Sequence, residues 1–168
     1  MCIRDRWGTA QWLSIAERMG APRMETVQNE FSLMDRLYDT DMAELSHNEQ
    51  VTLLAYSPLA AGMLTGKYTG GAVPEGSRMT LSPDMFGRKN DRALGIAQMY
   101  VDIAERHGLH PVHMALAFVN QRPYPSSPIF GASNIDQLRV ILDGKDVVLS
   151  DEVIAEINDT HRTNPMPY

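Results

Sequence analysis

The chain is poor in several things, and each shortage excludes something. It has a single cysteine, Cys2. An internal disulfide is therefore impossible, and a reducing cytoplasmic setting is the expectation. No apolar run approaches the ~20 residues that a membrane-spanning helix needs, so no membrane partner is expected. A signal peptide, with charged start, apolar middle and small-residue cleavage site, is not recognisable. Basic residues form no stripe: 15 Lys and Arg stand against 21 Asp and Glu, for a net charge of −6. Nucleic acid is thus not an expected partner. GxSxG, CxxC and HExxH motifs are also absent, which removes the hydrolase, redox and zinc-peptidase readings those patterns carry.

What is present is globular. Hydrophobic residues make up 43% and charged residues 21% of 168, enough for one domain with a real core. Residues 1–6 (MCIRDR) are charged and patternless, and read as a non-native or disordered start. Residues 7–168 then form the domain, ending in an irregular tail with Pro165 and Pro167.

Hydrophobic periodicity predicts a helix over 7–19, with Trp12, Ile15, Ala16 and Met19 recurring at helical spacing. Gly20 and Pro22 stop it. A short β-leaning run covers 26–29, and 39–48 reads as a helix with Met42 and Leu45 inward. Residues 51–56 are nearly all apolar, as expected of a strand buried on both faces. A stretch rich in Gly and Pro follows, over 57–88, and loops of that length are usually functional. Helices are predicted at 91–107 and 111–120, the second with Pro111 in its first turn. A short strand over 127–131 precedes a helix over 134–142, where Asn134 and Gln137 have capping-box spacing. Ser150 caps a last helix that reaches about His161.

This alternation predicts an α/β fold with parallel strands and right-handed crossovers. Three strands are few for it. On pattern alone the chain is either a small three-layer domain or part of a larger sheet such as a (β/α)8 barrel, which runs to ~250 residues.

Three segments bear on that choice. The first is Val27-Gln28-Asn29-Glu30-Phe31-Ser32-Leu33, followed by Asp35-Arg36. The second is Leu53-Leu54-Ala55-Tyr56-Ser57-Pro58-Leu59-Ala60-Ala61-Gly62, continuing as Leu64-Thr65-Gly66-Lys67-Tyr68. The third is Phe130-Gly131-Ala132-Ser133-Asn134-Ile135-Asp136-Gln137-Leu138. In this order and spacing they resemble aldo-keto reductases of the bacterial type related to potassium-channel β subunits. The resemblance runs from Trp7 to about the C-terminus. It implies the C-terminal half of a (β/α)8 TIM barrel, an incomplete barrel whose three strands match the sixth to eighth. The family's catalytic Asp, Tyr, Lys and His lie in the first half. Their positions do not occur in this sequence, so no catalytic residue is assigned, and the chain alone is expected to be inactive.

What the resemblance does imply is an NADPH site at the C-terminal ends of the strands, where barrel enzymes place their chemistry. Gln28 would hydrogen-bond the nicotinamide carboxamide, with Asn29 beside it, and Tyr56 would stack on the nicotinamide ring. Ser57, Leu59 and Gly62 would run along the pyrophosphate, and Lys67 would add positive charge there. Gly131 closes the last strand, Ser133 resembles a phosphate contact and Gln137 an adenosine contact, at a helix start suited to anions. Arg78, after Ser77, would face the adenosine-ribose phosphate that distinguishes NADPH from NADH. One departure concerns adenine: relatives often carry polar or acidic residues where this chain has Val140 and Ile141.

His107, His110 and His113 straddle a helix break at Gly108 and Pro111, a spacing that does not converge on a metal. Three function classes fit. The first is a fragment of an NADPH-dependent reductase of aldehydes or ketones, with a small carbonyl substrate in the complete protein. The second is a noncatalytic nucleotide-binding or partner-docking half-barrel. The third is a subunit that pairs with a separately encoded N-terminal half.

Overall fold

Three short strands pair into one parallel sheet in the computed structural model, which describes residues 5–168. They are β1 (Thr26–Glu30), β2 (Thr52–Tyr56) and β3 (Ser126–Pro128), in the order β1-β2-β3. The register sets Gln28 beside Leu54 and Leu54 beside Ser127. Parallel strands need long crossovers. Helices α2 (Leu37–Asp41) and α3 (Ala43–Glu49) supply the first, and α4 (Arg78–Leu81), α5 (Asp91–Arg106) and α6 (Pro111–Asn120) the second. Helix α1 (Arg6–Met19) precedes the sheet, and α7 (Ile135–Asp143) and α8 (Asp151–Thr163) follow it. Among the described residues the sheet is open, with β1 and β3 as its edges.

Side chains alternate between the two faces of a strand. Val27, Leu53 and Ala55 are buried, whereas Gln28 is exposed and Thr52, Leu54 and Tyr56 are half-buried. The buried face meets the helices in one continuous core that includes Phe31, Tyr38, Phe118 and Tyr124. Phe31 stacks on Phe118 with ring centroids 6.1 Å apart. Full burial of such a ring is worth about 1.5–3 kcal/mol. Arg122 lies 3.8 Å from the centre of the Phe118 ring and Arg36 covers it at 5.0 Å. Asp39 joins them, accepting from Arg36 at 2.9 Å and from the Tyr124 hydroxyl at 2.7 Å. Burial and the Asp39 carboxylate push the Tyr124 phenol well above its ordinary range.

The element order follows the sequence reading, with four differences. In α1 the residues that face the core are Thr9, Leu13 and Ala16, while Trp12, Ile15 and Met19 are exposed. The helix carries two apolar stripes, and the core covers only the one with Leu13. The helix expected over 39–48 breaks at Met42, which is the C-cap of α2 and the N-cap of α3. β2 is buried on one face rather than two. β3 begins one residue earlier than expected and ends at Pro128, three residues sooner; the Ile129 N–H to Ala55 carbonyl bond, 2.7 Å, is its last rung. The expected non-native start lies outside the described residues for positions 1–4, including Cys2. Asp5 caps α1 by accepting from the Gly8 N–H at 2.7 Å, and Arg6 opens the helix. No helix among the described residues is long and apolar enough to cross a membrane.

Candidate nucleotide-binding edge

Parallel pairing brings the C-terminal ends of all three strands to one edge. Gln28 and Tyr56 share the open face there, with Glu30 in register beside Tyr56. Asn29 lies on the opposite, helix-covered face in register with Ala55, half-buried. Gln28 and Asn29 therefore do not act from one side, as the period-2 alternation of any strand implies.

The chain turns sharply after Tyr56. Ser57, Ala60 and Ala61 take left-handed φ values of 54°, 48° and 57°, and Gly62 takes 99°. Non-glycine residues rarely adopt this region, at a cost of roughly 1–2 kcal/mol each. Among the described residues, five of the seven such positions fall from Ser57 to Phe86. Strain of this kind gathers at ligand-holding segments. Gly62 also makes room for Lys67, since a Cβ at Gly62 would stand 3.1 Å from the Lys67 Nζ. Lys67 lies over the Tyr68 ring at 5.1 Å. Leu59 packs against Val112, Leu116 and Ile141, which ties this loop to α6 and α7.

Further along the loop, Tyr68 accepts a hydrogen bond from the Met79 N–H at 3.2 Å and anchors α4. Arg78 opens α4, is exposed and sits over Phe86 at 5.4 Å. Its neighbour Ser77 is only 8% exposed, yet its hydroxyl has no hydrogen-bond partner among the described residues. Buried hydroxyls normally find one. Among the described residues no carboxylate lies within ion-pair range of Lys67 or Arg78. Arg36, Arg88, Arg106 and Arg122, by contrast, all hold carboxylates. Two uncompensated cations and an orphaned hydroxyl on one loop fit a polyanionic ligand such as a dinucleotide phosphate.

At the third strand, Gly131, Ser133 and Gln137 are exposed. Asn134 caps α7 by accepting from the Gln137 N–H at 2.9 Å. The Gln137 side chain folds back and accepts from both the Ser133 N–H and the Ser133 hydroxyl at 3.0 Å. The cap thus engages the Gln137 Oε1 together with the Ser133 N–H and hydroxyl.

The sequence reading missed Glu30 and Arg88. Arg88 makes a bidentate pair with Glu30, at 2.8 and 2.7 Å, at the end of β1. That bond raises the Arg88 pKa. Tyr168 covers the same guanidinium at 5.8 Å. The partners are 58 positions apart, so only Glu30's place in the first matched segment pointed to it. Among the described residues no cluster of His, Cys, Asp or Glu could hold a metal ion.

A sequence profile described as the Aldo/keto reductase family matches residues 5–162. Protein tas of Escherichia coli K12 is 41% identical over 161 residues, covering 96% of this chain and 46% of the relative. An Arabidopsis thaliana protein named "Probable voltage-gated potassium channel subunit beta" is 31% identical, covering 95% of this chain and 53% of its own length. A Babesia bovis protein named "Aldo-keto reductase" is 30% identical, over 92% of this chain and 57% of its own. The chain thus spans about half the length of these relatives, in keeping with its open sheet as part of a barrel. It belongs to the aldo/keto reductase family.

Proposed function

We propose that this chain is the nucleotide-binding, C-terminal half of a cytoplasmic NADPH-dependent reductase of small aldehydes or ketones. The observation that carries the reading is the loop after β2, where, among the described residues, Lys67 and Arg78 have no carboxylate and the buried Ser77 hydroxyl has no partner. When bound, NADPH supplies the hydride. The chain's own residues hold and orient it. Gln28 fixes the carboxamide and Tyr56 selects one ring face from the open side of the sheet. Ser57, Leu59 and Gly62 follow the pyrophosphate, with Lys67 as counter-charge. Arg78 and Ser77 receive the ribose phosphate, and Gly131, Ser133 and Gln137 border the adenosine end. Asn29, on the covered face, supports the strand end from behind.

None of these groups is a proton donor placed for carbonyl reduction, and general acid catalysis needs a group in reach of the substrate oxygen. That donor belongs to the N-terminal half of the barrel. The test is an NADPH consumption assay with a panel of aldehydes, run on the chain alone and on the chain joined to a supplied first half. No turnover is expected from the chain alone. Activity should arise only with the first half and fall at least ~10-fold with Tyr56→Ala. Turnover by the chain alone that Tyr56→Ala abolishes would refute the division of labour.

A further inference from the structure

We propose that His110 and His113 form a proton-operated joint that locks the start of α6 to α7 and to the loop after β2. The joint holds at neutral pH and loosens in mild acid.

His110 is the N-cap of α6. Its Nδ1 accepts the Val112 N–H at 3.1 Å, and its carbonyl accepts the Met114 N–H at 3.0 Å. Most N-caps are Ser, Thr, Asp or Asn, whose oxygens remain acceptors throughout mild acid. An imidazole nitrogen accepts only while unprotonated. Protonation of His110 therefore turns the cap into a donor facing a donor. It also places a positive charge at the positive end of the α6 dipole.

His113 lies one turn inside α6, its ring 4.8 Å from that of His110. Its Nε2 is 2.6 Å from the Val140 carbonyl, which can only accept, so Nε2 donates. The chain after α7 lies directly on this ring: a Cβ at Gly144 would come within 2.3 Å of it. Around the pair, Val112 and Leu116 pack on Ile141, Val140 and Leu59. Three segments distant in sequence thus meet where His110 begins the helix.

Charged groups on the neighbouring elements are Lys67 in the loop, Asp136, Arg139 and Asp143 on α7, Lys145 and Asp146 just after it, and Glu105 and Arg106 with His107 at the end of α5. The influences on the His110 ring are loss of solvent and then the adjacent His113, and both lower its pKa. With the folded pKa depressed, the unfolded chain takes the proton first. The stability His110 contributes is complete above the ordinary imidazole value, about 6.5, and is lost as pH falls below it.

Hydrogen exchange read by mass spectrometry tests this on the complete chain. Peptides covering 109–120 and 138–146 are followed from about pH 7.5 to about pH 5.5. The protein is compared at each pH with His110→Asn and His110→Asp, so the intrinsic pH dependence of exchange cancels. Either variant serves alone if the other does not fold, since both keep an oxygen at the cap. Relative to the variants, exchange at the start of α6 should accelerate about fivefold over the acid half of the range, the worth of a typical cap. The 138–146 peptide should follow, and α8 should not change. A ratio that stays constant with pH would overturn the joint. A second arm rests on the nucleotide reading: NADP+ affinity in the complete barrel should fall with acid more steeply for the parent than for His110→Asn. The exchange arm needs no nucleotide, so the joint and the nucleotide reading fail separately.

Discussion

The two faces of the small sheet differ sharply. On one, Val27, Leu53 and Ala55 lie under helices and join an unbroken core. On the other, Gln28, Leu54 and Tyr56 keep solvent contact, although they belong to the same strands. Parallel sheets ordinarily have both faces covered. The difference teaches which face this sequence completes by itself and which it shares with the rest of a barrel. Charges repeat the contrast. On the covered side Arg36, Arg122 and Asp39 satisfy one another around Phe118. Lys67 and Arg78, on the loop at the strand ends, have no such partner among the described residues.

Matched substitutions should break this comparison most strongly. Ala55→Asp places a carboxylate at a position with no exposure, and an uncompensated buried charge of this kind costs about 3–5 kcal/mol. The chain should then lose its resistance to limited proteolysis. Gln28→Asp, one strand over on the open face, should change that resistance by less than about 0.5 kcal/mol. Equal sensitivity at both positions would mean that the faces do not differ.

A smaller effect sharpens the open face. Uncovered strand edges and half-exposed apolar side chains promote association. The chain by itself should therefore sediment as concentration-dependent oligomers. Leu54→Lys, which charges the middle of that face, should shift the distribution toward monomer by about 1–2 kcal/mol of association free energy. A parent chain that is already a monodisperse monomer with a sharp melt would show that its open face needs no cover.

Much of this was legible in the sequence. The bounds of α6 follow from Pro111 at its first turn, and the cap of α7 from Asn134. The strand that carries Tyr56 was readable from its apolar run, and the one that carries Gln28 from a short β-leaning stretch. Other features depend on partners far apart in the chain. Periodicity named Trp12 and Ile15 as well as Ala16, because it registers an apolar stripe without saying what covers it. The Arg36–Asp39–Arg122 network and the Glu30–Arg88 pair come from crossovers that no local pattern encodes. The separation of Gln28 from Asn29 was available from strand alternation, though their adjacency in one matched segment obscured it. The burial of Ser77 and its unpartnered hydroxyl belong to the loop's tertiary path.

The central claim, that this chain supplies the NADPH-selective edge of a barrel, is tested most directly at Arg78. NADPH and NADH are titrated by tryptophan or tyrosine fluorescence in the complete barrel, before and after Arg78→Ala. Arg78 is exposed and has no carboxylate partner among the described residues, so stability should hardly change. NADPH binding should weaken by about 1.5–3 kcal/mol, the worth of a hydrogen bond to a charged group, while NADH binding stays where it was. Equal losses for both nucleotides, or no loss for either, would contradict the account.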